Sequence, residues 1–492
     1  MSEHIPLFRA ARLVGVSRGT LQKSIREGGL DAFEGTISVS DLAKLYPRAD
    51  LSHDSEYERV QDIKAHAYSK RVRERVTPDP EVLVSRLGEF AQELGATRAQ
   101  LANYQSIVKQ IINRLKTIEQ SADELVTSNE VIDETRNDIQ SLISDITISL
   151  LDVDRGNDFT KDLLAHDTVL RIMAAHVKIQ PSNHEYWLEG NTSLLEAGVR
   201  AGLALNYGCT NGNCGLCKAR VISGEVKKTH NHDYVLSSAE KSMNYILMCS
   251  NTAVSDVVIE ALEARDEHDI PQQEIVTKIK KAEKLNDTIL ELHLQTPRVQ
   301  RLRFLAGQSV TLTLPNGQVM NLPIASCPCD DRNLLFHIRS RQDDETTAVI
   351  DDTLNKGNEV MITGPYGRFL LNEDSDRTKI FITHDTGFAP VKSLIEHAMA
   401  LDETSPLYLY RLADNKEELY LHNLCRSWSD ALDDFHYYPV IDNDLIVSLT
   451  NNHPDLSNCD IYISGEEKVA ASIEDGLLAT GVPQEQIITN LA

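Results

Sequence analysis

Cys209, Cys214 and Cys217 lie on one loop, Asn206–Cys217, with the spacing C-x4-C-x2-C, and Cys249 follows on a separate segment. That pattern suits four thiolates holding the two irons of a [2Fe–2S] cluster. Three ligands on one loop must converge on a group only a few ångströms across. Gly208, Gly212 and Gly215 permit the tight wrap and let amide N–H groups turn toward the sulfurs, where they tune the potential. The fourth ligand clamps from the other side. The competing reading is a structural zinc site or spare thiols, but zinc sites usually show paired C-x2-C knuckles.

Short elements must hold this loop in place. Thr192–Gly202 reads as an amphipathic helix with Leu195, Val199 and Leu203 on one side, and Ala219–Val226 as a strand entering a turn. Tyr245–Cys249 then leads to Ser255–Glu260. With these flanks, residues 176–264 resemble a plant-type ferredoxin domain nearly end to end. The resemblance implies a β-grasp fold, a one-electron carrier, and Cys209, Cys214, Cys217 and Cys249 as cluster ligands.

The chain has 492 residues, long enough for three or four domains with their own cores. Its 49 Lys+Arg against 74 Asp+Glu give a formal net charge of −25. Such a charge favours solubility, argues against binding polyanions with the whole surface, and suits electron-transfer partners that dock on an acidic face. A generic acidic cytosolic protein would carry the same charge. Cys327, Cys329, Cys425 and Cys459 show no disulfide framework, and a cluster needs free thiolates, so a reducing cytoplasm is expected. The N-terminus shows no apolar signal region, and no apolar run is long enough to span a bilayer.

Two helical regions precede the cysteines. In residues 1–50, Leu7, Ala10, Ala11 and Val14 mark a first helix, Gly15–Val16 a turn, and Ser17 an N-cap for Arg18–Glu27, which Gly28–Gly29 ends. Leu30–Phe33 and Thr36–Val39 suit a small wing before Ser40–Leu45. This unit resembles the helix-turn-helix of MerR-type regulators, which implies DNA binding through Arg18, Thr20, Gln22, Lys23 and Arg26. Residues 1–48 hold seven Lys/Arg and five Asp/Glu, weakly basic for phosphate neutralisation, so a protein-docking role competes. The basic run Lys70–Arg75 lies in an expected helical connector, 51–100, where a solvated helix face is the simpler reading. Over 101–152 the apolar residues keep a heptad step from Leu101, Tyr104, Val108 and Ile111 to Leu150, broken by Asn129 and Arg136. That periodicity predicts a coiled coil and a homodimer through 101–150, with Asn129 at an a position favouring a two-stranded register. A helical hairpin folding back around 120–130 is the alternative. A linker helix is expected over 153–175.

From 274 onward, Thr277–Ile279, Thr288–Leu294 and Ser309–Leu314 alternate like strands of an antiparallel barrel, closing at Gly364–Leu371. Lys379–Thr383 reads as a buried strand, Thr386–Pro390 as a tight loop, and Val391–Met399 as a helix. Strand and helix then repeat through Leu407–Tyr410 and Ile461–Ile463, a doubly wound α/β pattern. These stretches resemble the ferredoxin–NADP reductase superfamily, as joined to a ferredoxin domain in oxygenase reductases. The resemblance implies a flavin-type barrel at 274–374 and an NAD(P)-type domain at 375–492. It also implies FAD or FMN and NAD(P)H as cofactors, with Ile324, Ser326, Thr386 and Gly387 as candidate binding positions.

The sequence departs from that family at four motifs. Met320, Asn321, Leu322 and Pro323 stand where Arg-x-Tyr-Ser would pair with flavin phosphate and pack on its ring. His384–Asp385–Thr386–Gly387 replaces Gly-Gly-Thr-Gly, placing negative charge where a pyrophosphate would sit. Ser464–Gly465–Glu466 lacks the thiol of the late Cys-Gly-Pro motif, and Arg411–Leu412–Ala413–Asp414 replaces an aromatic–Gly-x-Arg segment. Weak flavin binding is therefore expected. Arg303, Arg339 and His337, in or near barrel strands, are the residues left to capture a phosphate from another direction.

The expected whole is a multidomain α+β chain: a winged-helix-like unit, a coiled coil, a β-grasp ferredoxin, an antiparallel barrel and a doubly wound α/β domain. The expected function is [2Fe–2S] electron transfer to a protein partner such as an oxygenase component, with NAD(P)H-type reductase activity implied by resemblance. The alternatives are a non-catalytic iron–sulfur carrier or scaffold, and a redox-responsive DNA-binding regulator.

Overall fold

Among the described residues the strands build five separate sheets. The computed structural model describes residues 4–47, 80–125, 172–339 and 354–491, apart from residues 15, 17, 27–28, 31, 34–35, 404 and 442–444. The Lys70–Arg75 run, positions 126–152 of the expected coiled coil and most of the expected linker helix lie outside the described residues.

The N-terminal unit holds β1 (His4–Pro6), α1 (Leu7–Val14), α2 (Arg18–Arg26), β2 (Ala32–Phe33), β3 (Thr36–Ser38) and α3 (Val39–Leu45). Its core is Ile5, Ala10, Val14, Leu21, Ile37 and Leu42. One helix, α4, runs from Pro80 to Leu125, across the boundary expected at residue 100. The reason is continuity of the apolar stripe, which begins at Leu87 and Leu94 rather than at Leu101.

The cysteine-bearing domain comprises β4 (Ala174–Gln180), β5 (Glu185–Glu189), α5 (Leu194–Arg200), β6 (Lys218–Ser223), β7 (Val226–Lys228), α6 (Ser238–Ser242), β8 (Tyr245–Leu247), β9 (Asn251–Ala253) and β10 (Val257–Glu260). Its sheet order is β5-β4-β10-β6-β8, with β4 and β10 parallel. The Ser193 side chain caps α5 by accepting the Glu196 amide at 3.2 Å, and Leu194, Leu195 and Val199 pack on the sheet.

The next six strands are β11 (Gln273–Lys284), β12 (Ile289–Gln295), β13 (Ser309–Thr313), β14 (Val319–Pro323), β15 (Asn333–Arg339) and β16 (Glu359–Tyr366). They form one antiparallel sheet, β14-β13-β16-β11-β12-β15, around Ile279, Leu292, Val310, Phe336 and Val360. The Ala325 amide donates to the Leu335 carbonyl at 2.8 Å, so the chain leaving β14 meets β15 and the barrel nearly closes.

The last domain alternates β17 (Thr378–His384), α7 (Phe388–Ala400), β18 (Leu407–Ala413), α8 (His422–Ala431), β19 (Phe435–Ile441), α9 (Leu445–Asn452), β20 (Cys459–Gly465), α10 (Glu467–Ala479) and β21 (Ile487–Leu491). All pairings are parallel in the order β19-β18-β17-β20-β21, so the topological switch falls between β17 and β20.

One cysteine expectation is corrected. Cys327 and Cys329 form a disulfide, with Cα atoms 5.2 Å apart on either side of Pro328. A single-residue spacing escapes a search for a framework of distant pairs, and a short 3-10 turn over Pro328–Asp330 brings the two side chains together. Among the described residues, no helix is long and apolar enough to cross a membrane.

Candidate functional site

The four expected ligands meet as two pairs. Cys209 Sγ lies 3.2 Å from Cys214 Sγ, and the Cys214 amide points at Cys209 Sγ from 3.4 Å. Cys249 sits on a 3-10 turn, Met248–Ser250, which is anchored where the Met248 amide donates to the Cys217 carbonyl at 2.9 Å. The Cys217 thiol pulls Cys249 down to about 6, against the burial of Cys249. Cys214 is exposed and the other three are buried.

Two glycines are required by contact as well as by turn. Gly212 has φ +81°, and a Cβ there would lie 2.3 Å from His232 Cβ and 2.9 Å from Ser250 Oγ. Gly215 has φ +75°, and a Cβ there would lie 2.2 Å from the Tyr234 ring. His232 and Tyr234 therefore clasp the loop. The Tyr234 amide donates to Gly212 O at 3.2 Å, and His232 Nδ1 is 2.7 Å from Tyr234 O. Nothing in the sequence singled out these clasping residues, because their role depends on where a distant segment folds back.

The donor set fits the expected cofactor. Two thiol pairs, facing amides and a wrapped loop suit two irons with two thiolates each. Among the described residues, no three His, Cys, Asp or Glu side chains close on a single-ion position.

One side of the loop is seated on the barrel. Tyr207 donates to Asp331 Oδ2 at 2.9 Å, and Arg301 Nη1 reaches Asp331 Oδ1 at 3.0 Å. Arg303 Nη1 donates to Asn206 Oδ1 at 2.8 Å, and Thr210 Oγ1 to the Arg298 carbonyl at 3.1 Å. Burial lifts the Asp331 carboxyl to about 6 even though Arg301 opposes the shift. The other side, with Cys214 and Leu216, faces outward.

A second grip holds the domain from the N-terminal side. The Arg86 guanidinium, on α4, is buried and donates to the carbonyls of Ile172, Met173, Leu188 and Ala253 at 2.7–3.4 Å. Arg9 Nη1 adds an ion pair to Asp256 at 3.2 Å.

The candidate flavin and nucleotide positions lie at the exit of β14 and in the turn before α7. Ile324 points into the barrel core, and the Ser326 hydroxyl accepts the Leu335 amide at 3.2 Å. The Ser326 carbonyl accepts from Ser393 Oγ at 2.7 Å, which docks α7 on the barrel. Thr386 and Gly387 lie in the turn Asp385–Gly387 before α7. Gly387 is packed on the end of β20, where a Cβ would lie 2.2 Å from the Ser464 carbonyl oxygen.

The three residues left to hold a phosphate are all engaged. Arg303 is turned to Asn206, and Arg339 forms an ion pair with Asp385. His337 is buried with Nδ1 3.1 Å from the Tyr420 hydroxyl, and burial holds its pKa down. Met320 and Leu322 pack against the barrel core, and Pro323 has no side-chain donor. Among the described residues, these side chains do not fit a flavin phosphate, whose recognition rests on charge-assisted donors.

Part of the chain is similar to known proteins. Residues 177–254 match the 2Fe-2S iron-sulfur cluster binding domain family. CDP-6-deoxy-L-threo-D-glycero-4-hexulose-3-dehydrase reductase of Yersinia pestis is 26% identical over 328 residues, covering 65% of this chain and 98% of the relative. The reductase component of propane 2-monooxygenase from Rhodococcus jostii (strain RHA1) is 23% identical over 330 residues, covering 63% and 89%. The reductase component of phenol 2-monooxygenase from Pseudomonas sp. (strain CF600) is 28% identical over 272 residues, covering 55% and 76%. The chain thus joins a [2Fe–2S] domain to a reductase-like module, and it is similar to the reductase components of oxygenases.

Proposed function

We propose that this protein is a one-electron oxidoreductase in which Cys209, Cys214, Cys217 and Cys249 hold a [2Fe–2S] cluster that passes electrons to a protein partner. The observation that carries the reading is the placement of the two thiol pairs. The loop is fixed to the barrel through Tyr207 and Asp331 on one side, while Cys214 is exposed on the other. The relatives named as oxygenase reductase components make an oxygenase-type acceptor the fitting partner class. The test is anaerobic reduction of the native protein followed by electron paramagnetic resonance. A rhombic signal from one unpaired electron per two irons is expected. A protein carrying one zinc and no sulfide would end the proposal.

The N-terminal part serves assembly in this reading. Leu87, Leu94 and Leu101 of α4 are 44%, 40% and 54% exposed at seven-residue spacing, beside Tyr104 and Ile111. A second copy of the chain, aligned in parallel, would cover this stripe as the a and d positions of a two-stranded coiled coil. The N-terminal unit, MerR-like in pattern, docks on the [2Fe–2S] domain through Arg9 and Asp256. These two features support domain boundaries in which residues 1–125 organise a dimer and 172–491 carry the electron chemistry.

A further inference from the structure

We infer that the crevice at the topological switch of the parallel sheet is filled by the chain's own side chains and seats no pyridine nucleotide, so that the cluster is charged by a one-electron donor. The inference rests on the electron-transfer reading above and goes beyond it by naming the class of donor. Open parallel sheets bind ligands beyond the carboxyl ends of their strands, at the switch point. Phosphates bind there at a helix N-terminus, because unpaired N–H groups and the helix dipole favour an anion. In this sheet the place is defined by the ends of β17 and β20 and by the first turn of α7.

An anion already belongs to that turn. Asp385 stands just before α7 with φ +52°, a left-handed conformation uncommon for a residue other than glycine. Its carboxylate is paired with Arg339, which ends barrel strand β15. A phosphate entering the turn would meet a fixed negative charge and would have to take Arg339 away from it.

Other side chains meet at this place. A Cβ at Gly387 would lie 2.2 Å from the Ser464 carbonyl oxygen and 2.6 Å from the Gly465 amide nitrogen, so the turn after β17 packs closely on the end of β20. Phe388 and Tyr420 are buried edge to face, and the Arg411 guanidinium lies against both, 3.9 Å and 4.8 Å from their ring centroids. Arg411 also donates to the Tyr420 carbonyl. The Tyr420 hydroxyl bridges to His337 Nδ1 at 3.1 Å and to the Asp385 carbonyl at 3.4 Å. Barrel, α7 and β18 are therefore joined across the crevice by these side chains.

The electron balance follows from this packing. A hydride carries two electrons and needs a two-electron acceptor, whereas the cluster takes one. Among the described residues there is no phosphate seat for a group that would split the pair. A donor that gives up one electron, leaving itself oxidised by one and the cluster reduced by one, needs no such group. A reduced one-electron carrier protein docking near the exposed Cys214 meets this requirement.

The experiment uses the full-length holoprotein under anaerobic conditions, with FAD and FMN added. Reduced methyl viologen stands in for the donor, and bleaching of the cluster by one electron per two irons is expected; its absence would refute the electron-transfer reading itself. NADH or NADPH at about 1 mM, the upper end of ordinary enzyme KM values, is expected to leave the spectrum unchanged over an hour. Protein fluorescence titrated with each nucleotide is expected to show no saturation in the same range. Bleaching within minutes by either nucleotide, or saturable binding below about 1 mM, would overturn the plugged crevice and leave the electron-transfer reading standing.

Discussion

The Tyr207 hydroxyl donates to Asp331 Oδ2 at 2.9 Å, and this bond joins the cluster loop to the barrel across 124 residues of sequence. Asp331 is also held by Arg301, so the carboxylate has a donor from each domain. Tyr207→Phe removes one donor and keeps the ring. It is expected to cost about 1–2 kcal/mol, read as a lower unfolding midpoint with the cluster still loaded. Asp331→Ala leaves Arg301 without its partner and is expected to cost more, about 3–5 kcal/mol. Equal midpoints for wild type and both variants would show that this contact does not hold the domains together.

Arg86 is the corresponding joint on the other side. Arg86, 2% exposed, donates through its guanidinium to the backbone carbonyls of Ile172, Met173, Leu188 and Ala253. Arg86→Met keeps much of the apolar stem and leaves the carbonyls unpaired. The expected loss is about 2–4 kcal/mol, using about 1.5–3 kcal/mol for one charged hydrogen bond and less than additive behaviour for the rest. Hydrogen exchange over residues 80–90 should accelerate at the same time. Unaltered exchange there would mean that α4 is held by other contacts.

Cys214→Ala tests the ligand set where it is most exposed. Iron and sulfide analysis of the purified variant should show that most of the cluster is lost. A full complement of iron and sulfide would remove Cys214 from the ligands.

His184 gives a pH dependence with a defined sign. Its Nδ1 lies 2.7 Å from Glu263 Oε2, and this bond raises the His184 pKa against the effect of burial. A raised folded pKa means that the contribution is fully present below the unfolded value of about 6.5 and is lost as pH rises through the higher folded value. The unfolding midpoint should therefore fall between pH 6 and pH 8 by more in wild type than in His184→Gln. Identical pH profiles would show that the pair adds nothing to stability.

The exposed stripe on α4 predicts a dimer. Sedimentation of the full-length protein at micromolar concentration should give twice the monomer mass. Leu94→Glu together with Leu101→Glu places like charges in the seam and should give monomers that retain the cluster absorbance. A wild-type monomer would refute the proposal.

Local chemistry made part of this protein legible in its sequence. The C-x4-C-x2-C spacing singled out three of the four thiols because they share one loop, and loop geometry is set by neighbouring residues. Period-two alternation marked the barrel strands, and the heptad step marked α4 from Leu101 onward, because burial on one face repeats at the period of the backbone. The departures at Met320–Pro323 and Asp385 were equally visible, since they change the charge of short segments.

Tertiary structure decided everything that depends on which distant segments meet. It paired Cys209 with Cys214 and set Cys249 against Cys217. It turned Arg303 toward Asn206 and Arg339 toward Asp385, although both had read as spare phosphate ligands. It buried Arg411 against Phe388 and Tyr420, and closed Cys327 onto Cys329. A long cationic side chain reaches partners in many directions with nearly equal intrinsic favour. The choice is made by the acceptors and rings that folding brings within a few ångströms of it, and no local pattern encodes that choice.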